Sequence, residues 1–329
     1  MKTPISRRNC LAAGLAASLA CALPGLALAD TYPSRPVRLS VGFAPGTGPD
    51  VLTRLLGQKL SDQMKQPFVI ENRAGAGGQI AAQFVAKATP DGYNLLIADV
   101  SAISIAPAAF TKLAYDPLRE LTPVSEAVRT DFILVVPNSS PAKTYAEFVK
   151  AAVANKDRVN FGTFGAGTPG HFGAEMLAEQ GGFKIEPVHF RATGDAVTAL
   201  IAGDVQAALM STALASAQIK GGKMRALATT APVRSPLLPE VPTFTESGFP
   251  KADFSAWFCL FVPAGTPEAI ISALNAQVLA ALKDADLRRR LEEAGFTIVG
   301  TSPEAAKRMI AGENVKWKKV VTATGFKGD

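Results

Sequence analysis

Val37-Arg-Leu-Ser-Val-Gly-Phe-Ala-Pro-Gly-Thr-Gly-Pro-Asp50 decides the fold class. Its first half, Val37 to Phe43, is an apolar run that reads as a strand. Its second half, Phe43 to Asp50, gathers Ala44, Gly46, Thr47 and Gly48 into a glycine-rich turn. Beyond it Leu52, Leu56, Leu60 and Met64 recur at intervals of four, which predicts a helix over 51–64. Glycine lets a backbone adopt positive φ and come close to a ligand without a Cβ clash. The first turn of the following helix offers N–H groups without intrahelical partners, at the positive end of the helix dipole. Strand, glycine turn and helix start together make an anion site.

The same arrangement returns in Phe161-Gly-Thr-Phe-Gly-Ala-Gly-Thr-Pro-Gly-His171, between a strand at 159–161 and a helix at 172–180. The candidate ligand residues here are Thr163, Phe164, Gly165, Ala166, Gly167, Thr168 and His171. Two such turns about 120 residues apart suggest two lobes closing on one small anion. Neither turn contains lysine or arginine. A carboxylate there would be held by backbone N–H groups and by the hydroxyls of Thr47, Thr163 or Thr168. Each net hydrogen bond is worth about 0.5–1.5 kcal/mol, and more to a charged acceptor. Several together support micromolar binding, which takes about 8 kcal/mol.

The remaining pattern alternates. Strands are predicted at 68–71, 94–98, 133–136, 188–190, 225–229 and 258–262, and helices at 79–87, 145–155 and 195–202. Ile271, Leu274, Val278 and Leu282 line one face of a helical tail that continues over 287–294. Alternating strands and helices predict an α/β protein with mostly parallel sheets.

The N-terminus reads as an export signal. Lys2, Arg7 and Arg8 precede an uncharged run from Leu11 to Leu28, and Ala27-Leu28-Ala29 offers small residues for cleavage near Ala29. Arg7-Arg8 fits a twin-arginine signal or an ordinary secretory one. Cys21 raises a lipoprotein alternative, which Ser18 disfavours. Of 34 basic and 28 acidic side chains, three basic ones leave with the signal, so the mature chain carries 31 against 28. These charges are interspersed rather than striped, which argues against nucleic acid as a partner. Cys10 and Cys21 lie in the signal, leaving Cys259 between Phe258 and Leu260 as a buried, inert thiol. The roughly 300 mature residues suit two domains.

Catalysis is poorly served. Phe43 to Asp50 lacks the Lys-Ser/Thr pair of a phosphate loop and the spacing of a dinucleotide fingerprint. Metal-binding and nucleophile motifs are not found, and no cofactor is expected. Asp50 complements the helix dipole or touches the ligand. His171 donates to a ligand or caps its own turn, and His189 reads as structural. Glu71-Asn-Arg-Ala-Gly-Ala-Gly-Gly78 is a third glycine-rich turn, a further ligand wall or a tight strand-to-helix connection.

Read in order, Tyr32-Pro-Ser-Arg-Pro36, Phe43 to Asp50, Glu71 to Gly78, Pro90-Asp-Gly-Tyr93, Tyr115-Asp-Pro117, Arg225-Ala-Leu-Ala228, Pro239-Glu-Val-Pro-Thr243 and Pro263-Ala-Gly-Thr-Pro267 make the chain resemble the tripartite tricarboxylate transporter receptors, the Bug family of periplasmic solute-binding proteins. The resemblance implies a type II periplasmic binding protein clamshell, with a mostly parallel sheet flanked by helices in each lobe. It places one lobe at 30–130 plus 256–329 and the other at 131–255, after a signal at 1–29. It implies a monomeric, non-enzymatic receptor for a small organic carboxylate, gripped between the two glycine turns, with membrane transporter subunits as partners. A receptor feeding a membrane sensor, or an acyl or carboxylate enzyme on the same scaffold, are the alternatives. Ser101 matches a pocket-lining position. Phe190-Arg191-Ala192-Thr193 stands where the family shows Pro-Tyr-Lys-Gly, so Arg191 either holds a second carboxylate or is solvated. Met210-Ser211 stands where Asp-Asn is frequent; Ser211 joins the pocket list. Losing a negative charge at Met210 favours a diacid or aromatic acid over an amino-bearing ligand.

Overall fold

Val37, Leu39 and Val41 alternate along β1 (Val37–Val41) and are fully buried. The face they share is covered by α1 (Gly48–Met64), whose Leu52, Leu56 and Leu60 are equally buried. Gly57 is what lets α1 lie so close. A Cβ there would stand 2.8 Å from Ile70 Cδ1 and 3.5 Å from Leu39 Cδ2. These positions come from a computed structural model that describes residues 32–155, 158–190, 193–250, 252 and 254–328. From Arg35 onward the chain forms one compact unit.

Two sheets organise that unit. The first contains β1, β2 (Phe68–Asn72), β3 (Asn94–Asp99), β4 (Leu121–Thr130), β10 (Ala256–Pro263) and β11 (Thr297–Ile298), in the order β11-β4-β10-β3-β1-β2. The second contains β5 (Phe132–Pro137), β6 (Val159–Thr163), β7 (Ile185–His189), β8 (Ala207–Ser211) and β9 (Met224–Thr229), in the order β7-β6-β8-β5-β9. The flanking helices are α2 (Gln79–Ala86), α3 (Tyr145–Ala154), α4 (Pro169–Gly181), α5 (Thr193–Ala202), α6 (Thr212–Lys220), α7 (Glu268–Ala281), α8 (Ala285–Glu293) and α9 (Pro303–Thr324).

The α/β class is as the sequence predicts, and pairing within each sheet is mixed. β1 is parallel to β2 and β3, and β6 is parallel to β7 and β8. β10 runs antiparallel to β3 and β4, β11 to β4, and β5 to β8 and β9. The cause is how β5 and β10 arrive. Each enters from the other sheet instead of through a helical crossover, so the connection that enforces parallel pairing does not apply to it. Asp131 alone separates β4 from β5, and residues 230–255 return the chain to β10.

Both passages are pinned. Phe132 N–H donates to Thr230 Oγ1 and Thr230 N–H to Phe132 O, both at 2.9 Å. Thr212 donates to Asp131 O through its amide and its hydroxyl, both at 3.1 Å. α9 spans the sheets: it packs on β4 and on α4, with Trp317 fully buried against Phe254.

Backbone proximity makes one substitution decisive. At Gly42 an added Cβ would meet Gly78 Cα at 2.4 Å, a backbone atom that no rotamer change moves. Gly42→Ala is expected to lose about 1–3 kcal/mol in urea unfolding, the usual cost of overpacking. Gly312, inside α9 with no atom within 4 Å of its Cβ position, is the converse. Gly312→Ala is expected to gain about 0.5–1 kcal/mol from helix propensity.

Candidate functional site

Each glycine-rich turn follows the central strand of a parallel trio. The chain leaves β1 for β2 on one side and reaches β3 on the other; it leaves β6 for β7 on one side and β8 on the other. Both are points of strand-order reversal, where open α/β sheets bind ligands beyond the carboxyl ends of their strands.

At the first turn, Phe43, Ala44, Gly46, Thr47, Gly48 and Asp50 lie beside the carboxyl ends of β1, β2 and β3. Gly46 takes φ 81°, a left-handed conformation that favours glycine. Asp50 staples the turn. Gly46 N–H donates to Asp50 Oδ2 at 2.9 Å, Arg54 Nε to the same oxygen at 3.0 Å, and Asn72 Nδ2 to Oδ1 at 2.7 Å. Asn72 Nδ2 also donates to Phe43 O at 3.0 Å. Burial works to raise the Asp50 pKa, yet the donors from Arg54, Asn72 and Gly46 outweigh it and hold the carboxyl below its ordinary value. Asp50 therefore spends its charge on the loop. Thr47 Oγ1 donates to Ala44 O at 2.7 Å. The amides of Gly48 and Asp50, in the first turn of α1, keep no intrahelical partner.

The Glu71–Gly78 turn and Ser101 join this group. A Cβ at Gly78 would lie 3.5 Å from Ala102 Cβ and one at Gly77 3.9 Å from Ser101 Cβ. Ser101 begins a single π-helical turn, Ser101–Ile105, a geometry that recurs at functional sites.

The second turn is built to the same plan. Gly165 and Gly167 take φ 115° and 75°. Thr168 Oγ1 donates to Gly165 O at 2.8 Å, as Thr47 does to Ala44. Gly167 N–H donates to His171 Nδ1 at 3.2 Å, as Gly46 does to Asp50. His171 thus caps its own turn, and its remaining ring proton sits on Nε2. Burial first, and His189 second, push its pKa down to about 4, so the ring is neutral. It stacks on Phe172 at 4.6 Å and meets His189 and Phe326 edge-on at 4.6 and 5.0 Å. Thr163, fully buried, shares a hydrogen bond of 2.6 Å with His189 Nδ1. Phe164 packs against the core of the second sheet, and Ala166 lies between Gly165 and Gly167 in the turn. Ser211 ends β8 opposite Phe132.

Two positions of the sequence reading stand apart from these turns. Met210 is wholly buried in the core of the second sheet, with Ile133, Val135 and Leu200. Arg191 lies outside the described residues, as does the export signal.

Three residues escaped the sequence reading. Phe110 meets Gly167, where a Cβ would stand 3.0 Å from its ring. Phe326 packs on His171 and Phe172, while Gly328 N–H donates to Ala109 O at 2.7 Å. The C-terminal strand of sequence thus straps the second turn to the segment after Ser101–Ile105. Asp99, at the carboxyl end of β3, is 4% exposed. Burial raises its pKa to about 6 despite the Ser101 hydroxyl and nearby amides. An acid closing the apolar run Leu95–Ala98 was the available signal; the two aromatics lacked one, being single residues in loop and tail.

Because the His171 pKa falls on folding, the unfolded chain binds more protons between about pH 6.5 and 4. His171 contributes stability that is present above pH 6.5 and lost as pH falls through about 4. Urea unfolding of the wild type and His171→Gln from pH 7.5 to 4 is expected to show a smaller loss on acidification in the variant. Parallel curves would exclude the buried neutral imidazole.

The chain is similar to known proteins. The model of the tripartite tricarboxylate transporter family receptor matches residues 52–326. Protein BugT of Bordetella pertussis is 33% identical over 300 residues, which is 91% of this chain and 92% of its own. The solved structure of R. palustris Rpa4515 with adipate superposes with a TM-score of 0.84 at 32% identity, covering 90% of this chain and 99% of that one. MatC from Rhodopseudomonas palustris with bound malate gives 0.80 at 33%, covering 88% and 100%. The chain has the two-sheet clamshell fold of periplasmic binding proteins and belongs to the tripartite tricarboxylate transporter receptor family.

Proposed function

We propose that this receptor binds a small organic carboxylate, a diacid or aromatic acid above all, in a cleft between 30–130 plus 256–329 on one side and 131–255 on the other. The observation that carries the reading is the pair of like-built glycine turns, each beyond the central strand of a parallel trio and each opening a helix. Both turns are free of lysine and arginine, so helix-start amides and threonine hydroxyls supply the attraction. The solved relatives hold adipate and malate, both diacids. The ligand-contacting set proposed is Phe43, Ala44, Gly46, Thr47, Gly48, Asp50, Ser101, Thr163 to Thr168, His171, Arg191 and Ser211. Within it, Asp50 and His171 act by holding the turns.

The reading as a receptor rather than an enzyme is supported by what the reactive groups do. His171 is neutral and its Nδ1 is engaged by Gly167. Cys259 is buried, and burial pushes its thiol pKa up. Neither makes a base or nucleophile at neutral pH. Closure would swing the two lobes about the passages at Asp131 and at 230–255, delivering the loaded protein to a membrane transporter. The protein would act as an exported monomer in the periplasm; no helix of the described residues is long and apolar enough to cross a membrane.

A thermal-shift screen of the mature protein tests this. A ligand at 100 times its dissociation constant adds about 2.7 kcal/mol. Adipate, malate, succinate and benzoate are the first arms, and at least one is expected to raise the Tm, while sugars and simple cations do not. A protein indifferent to every organic acid would overturn the proposal. Arg191→Ala is expected to weaken diacids about tenfold, or 1.4 kcal/mol, and to spare monocarboxylates. Equal losses would remove Arg191 from the second-carboxylate role.

A further inference from the structure

Asp99 Oδ1 is buried and has no hydrogen-bond partner, whereas Asp99 Oδ2 accepts from Ser101 Oγ at 2.8 Å. An unanswered buried acceptor costs about 1–3 kcal/mol, more when charged, so its persistence calls for a reason.

Its place in the sheet supplies one. Asp99 pairs directly with Phe258 of β10, and residues opposite each other in an antiparallel ladder share a face. Ile97 lies on that face too, paired with Val41 of β1, and α1 covers it through Gly57. The Phe258 ring meets Phe43 of the first glycine turn at 6.5 Å and Phe296 at 5.7 Å. Phe296 Cζ in turn lies 3.5 Å from the Cβ position of Gly48. The orphaned oxygen therefore sits at the carboxyl end of β3, among the residues beneath the first turn and the start of α1, beside Ser101.

We infer that Asp99 Oδ1 accepts a hydrogen bond from a hydroxyl or ammonium group carried by the bound acid, so the receptor selects hydroxy- or amino-substituted acids over the plain acid of the same skeleton. The inference rests on the carboxylate-receptor reading above. A plain acid brings a like charge toward Asp99 and no donor to answer it, which disfavours the ionised pair. A site that hydrogen-bonds a ligand donor rejects the analogue lacking it, because its own buried group is then left unpaired. Burial raises the Asp99 pKa to about 6 against the Ser101 hydroxyl and nearby amides, in line with a buried carboxylate that a further donor would stabilise.

Calorimetric titration of succinate, malate and aspartate at pH 7.5 tests it, with the wild type, Asp99→Ala and Asp99→Asn. The wild type is expected to bind malate or aspartate at least about tenfold more tightly than succinate, a 1.4 kcal/mol difference. Asp99→Ala is expected to bring that ratio to about 1. The isosteric Asp99→Asn, which keeps an acceptor without charge, covers a failure of the alanine variant to fold. It is expected to abolish a preference for aspartate and reduce one for malate. Malate and aspartate arms separate a hydroxyl partner from an ammonium partner. A wild type that binds succinate as tightly as both others, or an unchanged ratio in the folded variants, overturns the inference and leaves the carboxylate reading standing. No heat with any of the three overturns the inference, and silence across the wider acid screen takes the carboxylate reading with it.

Discussion

Both glycine turns depend on one interaction repeated: a glycine N–H donated to a side chain four residues on, inside the first turn of the next helix. In one turn the acceptor is Asp50 Oδ2, in the other His171 Nδ1. A threonine after each glycine donates back three residues, Thr47 to Ala44 O and Thr168 to Gly165 O. The acceptors differ in chemistry and agree in geometry. Each turn is therefore shaped before any ligand arrives, which lowers the ordering cost of binding. The same bonds take Gly46 N–H and Gly167 N–H out of the supply of anion donors. For the proposed anion this leaves helix-start amides such as those of Gly48 and Asp50, at the positive end of the helix dipole.

The sheets place these turns. A strand that enters from the neighbouring sheet sits beside each parallel trio, β10 next to β3 and β5 next to β8. That pairing leaves β1 and β6 each central in its trio, with the strand-order reversal at their carboxyl ends. It also means that the passages joining the sheets are extensions of central strands. Side-chain hydroxyls of Thr130, Thr212 and Thr230 tie those passages to backbone on either side. The short passage at Asp131 is thus held by these hydrogen bonds, and under the proposed function it would be one of the two places about which the lobes close.

Much of this was legible in the sequence where periodicity and turn chemistry agree. The strand at 37–43, the helix at 51–64 and the turn at 163–168 followed from apolar spacing and glycine placement alone. β4 did not, because Pro123 interrupts it. The structure accommodates that proline beside a register shift of β10 between Leu260 and Phe261, where a missing N–H is tolerated. The equivalence of Asp50 and His171 was hidden for another reason: a carboxylate and an imidazole share no pattern, only an acceptor at the same offset. Strand alternation puts Ser211 at the carboxyl end of β8 and turns its neighbour Met210 into the core.

Asp50 and Asp99 show how donors and burial compete over a carboxylate. Both are almost wholly removed from solvent, at 2% and 4% exposure. Asp50 meets a guanidinium, a side-chain amide and a backbone amide, and its pKa drops. Asp99 accepts from the Ser101 hydroxyl on Oδ2 while Oδ1 has no hydrogen-bond partner, and burial raises its pKa to about 6 against that hydroxyl and the nearby amides. The difference lies in depth as well as donors: a guanidinium and two amides outweigh burial at Asp50, whereas at Asp99 burial outweighs a hydroxyl and nearby amides. A carboxylate saturated within the chain is a structural brace whose removal would loosen the first turn. One left half-answered beneath a ligand turn has capacity to spare, and a solute carrying the complementary donor is the partner that would use it.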